Sequence, residues 1–180
     1  MRRHPIESLL LVLCLLALPV ADSKAAQLQG VSLSPSEVTT PPGSTFDLDV
    51  LVDCGTNADA ASVTLRFNTN YLQVQSIVAD ETSFPNVLRK RIDNTAGTVQ
   101  YDGGSLACHS EDNCPSGLIR VATVTFVATR RTLPSSPVGI RGQVVWAGET
   151  LFDDLGAGTM VTVTSSSPLV YSVSLPLVAR

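Results

Sequence analysis

The pattern of apolar and polar positions is clearest at residues 120–128. Ala122, Val124, Phe126 and Ala128 fall on one face, and Val121, Thr123, Thr125 and Val127 on the other. Apolar alternation with β-branched residues and one aromatic is the signature of a strand half buried in a sheet. The same period recurs along the chain. A short strand at residues 31–34 precedes a turn-rich link holding Pro35, Pro41, Pro42 and Gly43. Phe46, Leu48, Val50 and Val52 then alternate with Thr45, Asp47, Asp49 and Leu51. Isolated charges are costly to bury, so the face with Asp47 and Asp49 must meet water. Val63, Leu65 and Phe67 alternate with Ser62, Thr64 and Arg66, and Leu72, Val74 and Ile77 open the next strand after a turn at Asn68-Thr69-Asn70. Residues 87–93 and 98–102 flank Asn94-Thr95-Ala96-Gly97, a hairpin turn in which glycine supplies the left-handed backbone. Residues 138–146 and 160–164 are the last two strands, and 148–158 reads as a loop between them. Nothing reads as a long helix. About nine short, regularly spaced strands predict an all-β sandwich of the jelly-roll kind.

The ends of the chain follow other rules. Arg2 and Arg3 precede an apolar run at residues 9–20, and Ser23-Lys24-Ala25 supplies small residues where a signal peptidase cuts. Residues 1–25 are therefore expected to be a signal peptide. The run is about 12 residues long against the roughly 20 that a membrane span needs. Residues 29–164 form the predicted sandwich domain. Ser165-Ser166-Ser167-Pro168 then marks a linker, so 165–180 is read as linker and short tail, the tail being either one more edge strand or a terminal tag.

Cleavage after Ala25 removes three basic and two acidic residues, leaving nine against 14, a net charge of −5 with Lys90 as the last lysine. No basic face is left to neutralise a phosphate backbone, which excludes nucleic acid as a partner. The cluster Arg89-Lys90-Arg91 reads as a solvated strand edge, where charge discourages edge-to-edge pairing. Cys54, Cys108 and Cys114 remain. In an exported chain the close pair Cys108 and Cys114 is expected to form a disulfide. A zinc site adding His109 is the alternative, although a fourth ligand is missing. Cys54 is left as a free thiol or displaces one member of the pair.

Three segments in order resemble a bacterial cohesin domain, a jelly-roll module related to carbohydrate-binding modules of families two and three. They are residues 42–50 (Pro-Gly-Ser-Thr-Phe-Asp-Leu-Asp-Val), residues 63–74 (Val-Thr-Leu-Arg-Phe-Asn-Thr-Asn-Tyr-Leu-Gln-Val) and residues 117–126, which end in Val124-Thr125-Phe126. The resemblance covers residues 29–164. It implies a secreted, non-catalytic module that grips a calcium-loaded dockerin domain through one sheet, in assemblies for polysaccharide breakdown or at the cell surface. The calcium is then the dockerin's, and no cofactor is expected here. The chain departs from the family's pattern where the recognition strand carries an outward Asn and Asp, which are Ala60 and Ser62 here, and where Asn68-Thr69 replaces the Asp-Pro of the following turn.

The candidate partner-binding face is the polar side of the sheet carrying Ser62, Thr64, Arg66, Arg89, Arg91, Thr98 and Gln100. The alternative is a module attaching directly to polysaccharide. Such surfaces need exposed rings, and Trp146 at a strand end is the candidate, because Tyr71 adjoins a turn and Tyr101 shares the Val99 face. Catalysis is not expected. His109 is the one histidine left after cleavage, so a histidine-based triad has no scaffold, and Asp153-Asp154 and Glu111-Asp112 sit in loops where solvation accounts for them. Glu149, Asp153 and Asp154 are the candidates for hard-cation ligands, without EF-hand spacing.

Overall fold

The computed structural model describes residues 30–55, 57–106, 108 and 114–165. The expected signal peptide, the tail beyond Ser165, His109, Glu111 and Asp112 lie outside the described residues. Among the described residues there are eleven strands and no helix: β1 (Gly30–Ser34), β2 (Glu37–Thr40), β3 (Thr45–Asp53), β4 (Ala60–Arg66), β5 (Leu72–Ala79), β6 (Asn86–Asp93), β7 (Thr98–Gly104), β8 (Leu118–Ala128), β9 (Ser136–Trp146), β10 (Glu149–Leu155) and β11 (Thr159–Val163). They build two sheets. One has the order β1-β3-β8-β5, and the other runs β2-β11-β9-β4-β7-β6 with β10 paired to the remaining length of β9.

The all-β sandwich is as expected, with two strands more than the alternation suggested. β2 lies in the proline-rich link, where it pairs in parallel with β11. β10 lies in the stretch read as a loop. Its sequence Glu149-Thr150-Leu151-Phe152-Asp153-Asp154-Leu155 has no two-residue period because a bulge between Thr150 and Phe152 breaks the phase, and its backbone is held by pairing with β9 alone. The β9–β10 hairpin turns through Ala147 and Gly148, both at positive φ (50° and 82°), as a two-residue turn between twisted strands demands.

The apolar faces of both sheets meet in one core. Leu48, Val50 and Val52 of β3 and Val124, Phe126 and Ala128 of β8 face Val63 and Leu65 of β4, Val99 and Tyr101 of β7, and Val138, Ile140 and Val144 of β9, all buried. Phe126 is the pivot, stacking on Phe46 at 5.5 Å and meeting Phe67 edge-on at 5.4 Å. Truncating a buried phenylalanine to alanine costs about 3–5 kcal/mol, so this cluster alone is a large fraction of a domain's net stability. A bulge opposite Val50 and Leu51 lets Val121 turn inward beside Ala122.

Edges are closed by specific groups. β5 ends its sheet, and there the Val74 N–H donates to Asn94 Oδ1 (2.8 Å) while Asn94 Nδ2 donates to the Val74 carbonyl (2.9 Å). The carboxamide thus stands in for a missing strand. Asn94 is presented by the β6–β7 turn, where Asp93 Oδ1 accepts from the N–H groups of Thr95 (3.1 Å) and Ala96 (2.8 Å) and Gly97 takes φ 66°. β6 ends the larger sheet with Arg89, Lys90 and Arg91 exposed, as the charge cluster suggested.

Candidate functional site

Cross-strand registers place the polar positions of the larger sheet in rows on its outer face. One row runs Arg89, Asp102, Ser62, Gln143, Asp153 across β6, β7, β4, β9 and β10; the next runs Arg91, Gln100, Thr64, Arg141, Leu155; a third runs Asp93, Thr98, Arg66, Gly139. All seven residues expected on the candidate face are on it. Each strand contributes because the period of two sends its apolar partners to the core. Lys90 pairs with the inward-facing Tyr101 and so lies on the other side of β6.

The face is tied by polar contacts. Asp102 accepts from Ser62 Oγ at 2.7 Å and pairs with Arg89 Nε at 3.1 Å, joining β4, β7 and β6. Arg91 meets Asp93 at 3.4 Å and Arg141 meets Asp153 at 3.2 Å. Gln143 Nε2 donates to Thr150 Oγ1 at 3.0 Å. Such exposed pairs contribute about 0–1 kcal/mol each, so they orient the face more than they stabilise the fold. Two shallow depressions flank Arg66. One, of about 610 Å³, is lined by Arg66, Phe67, Ala96, Pro137 and Gly139 among others, and the second, of about 410 Å³, by Thr64, Arg66, Gly139, Arg141 and Leu155 among others.

Asp102, Arg141, Gln143 and Leu155 were not singled out from sequence, and Asp153 was named there as a candidate cation ligand and not as part of this face. Arg141 and Gln143 were within reach of it, since Ile140 and Val144 alternate with them. Asp153 and Leu155 were not, because β10 shows no period of its own.

The opposite outer face is acidic. Asp47, Asp49 and Asp53 alternate with the buried Leu48, Val50 and Val52, and Arg120 reaches Asp80 at 3.2 Å and Asp49 at 3.8 Å. Hydrogen bonds from Thr82, and then Arg120, hold the Asp80 carboxyl below its usual range.

The remaining candidates fall elsewhere. Trp146 is half-buried at the end of β9 and follows Val144 and Val145 in alternation, which sets it on the side away from the rows. Asp153 is engaged by Arg141, and Asp154 Oδ1 accepts the N–H of Leu155 at 2.7 Å. Among the described residues no group of three or more His, Cys, Asp or Glu side chains is placed to hold a metal ion. Cys108 and Cys114 form the expected disulfide, with S–S 2.03 Å. The zinc alternative is thereby overturned, since both thiolates are consumed. Cys54 is free and fully buried, and burial, reinforced by the charge of Asp53, pushes its thiol up to about 12.

No family model matches the chain, and no curated protein matches it. Solved structures do. CaCohA2 from Clostridium acetobutylicum aligns with a TM-score of 0.58 at 17% identity, over 78% of this chain and 94% of its own. The third cohesin ScaC from Acetivibrio cellulolyticus, solved in complex with the ScaB dockerin, aligns with a TM-score of 0.58 at 10% identity, over 75% and 99%. A non-cellulosomal cohesin from the archaeon Archaeoglobus fulgidus aligns with a TM-score of 0.55 at 14% identity, over 76% and 92%. The sandwich of this chain therefore has the cohesin-like fold that its sequence resembled.

Proposed function

We propose that this protein is a secreted, non-catalytic binding module that receives a dockerin-type protein domain on the outer face of β6, β7, β4 and β9. The observation that carries the reading is the ordered polar face, with Ser62, Thr64, Arg66, Arg89, Arg91, Thr98 and Gln100 gathered in three rows on one sheet. A rigid, exposed sheet face with fixed polar groups is suited to a folded partner, whose own surface must match it without reorganisation. The cohesin-like fold supports the same partner class, since the ScaC cohesin is solved in complex with a dockerin. Residues 1–25 serve as the export signal, 29–164 as the binding domain and 165–180 as linker and tail. Direct attachment to polysaccharide is the second reading, with Trp146 as its platform, and the position of that ring off the ordered face makes it the weaker one.

The test is a pull-down from the culture supernatant of the source organism with the full chain immobilised. Captured proteins are expected to share a calcium-loaded dockerin domain and to be released by chelation. Arg66→Ala and Gln100→Ala are expected to weaken capture. Recovery of no protein, with the chain itself retained on insoluble polysaccharide, moves the function to direct attachment.

A further inference from the structure

Four arginines project from the ordered face, and three have a carboxylate of this chain within reach. Arg89 pairs with Asp102, Arg91 with Asp93 and Arg141 with Asp153. Arg66 has no hydrogen-bond or ion-pair partner among the described residues, although it is exposed at the end of β4. The acid in its own row, Asp93, is already taken. Its Oδ2 meets Arg91, and its Oδ1 accepts the N–H groups of Thr95 and Ala96.

The surroundings of Arg66 are open in a particular way. Its neighbours across the strands are Thr98 and Gly139, both small. A side chain begun at Gly139 would meet nothing within 4 Å, so the missing side chain leaves free space beside the guanidinium. Both depressions on this face share Arg66 and Gly139 in their walls. Phe67, Ala96 and Pro137 give the larger one apolar lining.

We propose that Arg66 anchors a carboxylate-recognition point, and that its occupant is an Asp or Glu side chain of a protein partner laid over Gly139. The proposal rests on this face being the partner-binding face. A guanidinium presents its donors as a planar fork that fits a carboxylate with two parallel hydrogen bonds. The apolar lining takes the methylene stem of the incoming residue. A protein is the occupant rather than an acidic glycan because sugar rings are held by exposed aromatic faces, and none of the outward positions in the three rows is aromatic.

The experiment selects random peptides displayed on phage against the full chain, then titrates a selected peptide calorimetrically. Selected peptides are expected to carry an Asp or Glu. Arg66→Ala, or replacement of that acid by its amide, is expected to weaken binding about tenfold or more, and the two changes together by no more than either alone. Arg120→Ala, on the opposite outer face and paired there with Asp80 and Asp49, is expected to leave affinity within about twofold. Gly139→Leu, which fills the open space without altering charge, is expected to abolish binding. Peptides that bind Arg66→Ala or Gly139→Leu as tightly as the parent chain overturn the proposal. So does polygalacturonate that binds more tightly than the peptides and loses that binding in Arg66→Ala. None of these readouts needs calcium, so loss of the dockerin reading and loss of this site are separately visible.

Discussion

Cys54 shows how a single residue carries both a legible and an illegible part. Three cysteines outside the expected signal peptide, two of them close in sequence, implied one bridge and one thiol, but which thiol stayed free depended on distance in the fold. The structure buries Cys54 in the core and joins Cys108 to Cys114. Burial raises the Cys54 thiol from 9.0 to about 12, because a thiolate there loses its hydration. A raised folded-state value means that stability from the neutral thiol is whole below pH 9.0 and is lost as pH rises from there towards about 12. The parent chain is therefore expected to lose more stability above pH 9.0 than Cys54→Ala does, in denaturant titrations compared across pH. Iodoacetamide is expected to label Cys54 after unfolding and to leave it unlabelled in the native protein at neutral pH.

Among the elements, β3, β4, β7, β8 and β9 were legible because each has one face in water and one in the core, and the period of two records that split. β2 and β10 were not, because neither owes its existence to its own pattern. β2 is held by parallel pairing to β11, and β10 by a bulged ladder to β9. The protection of β5 is likewise an element-level device hidden in a turn. Asn94 satisfies both backbone groups of Val74 on an open edge. Asn94→Ala is expected to lower unfolding stability by about 2 kcal/mol, near 1 for each lost hydrogen bond. It is also expected to promote self-association, seen by light scattering, since the uncovered β5 edge becomes a template for another strand. An unchanged denaturation midpoint in this variant would show that water replaces the carboxamide without cost.

For the whole molecule, the disulfide staples the passage from β7 in the larger sheet to β8 in the smaller one. Replacing Cys108 and Cys114 by serine is expected to cost about 2 kcal/mol in urea titrations, the chain-entropy value for so short a loop. Arg66 pairs with Thr98 at the far end of β7 from Gly104, so peptide binding at Arg66 is expected to survive that change. The two outer faces differ in character, one acidic around Asp47, Asp49 and Asp53, the other carrying Arg66, Arg89, Arg91 and Arg141 beside Asp93, Asp102 and Asp153. Read alone, the order of residues specified which side chains turn inward and which outward along most strands, and with that the sandwich class and the polar character of Ser62, Thr64 and Arg66. Those are local properties, set by alternation within a few residues. Strand order and register came only with the tertiary structure. They arise from pairing between segments as distant as β4 and β9, which set Gly139 beside Arg66 and gave Arg89 and Arg141 their acids across strands, while Arg91 takes Asp93 two residues along its own strand and Arg66 is left without one.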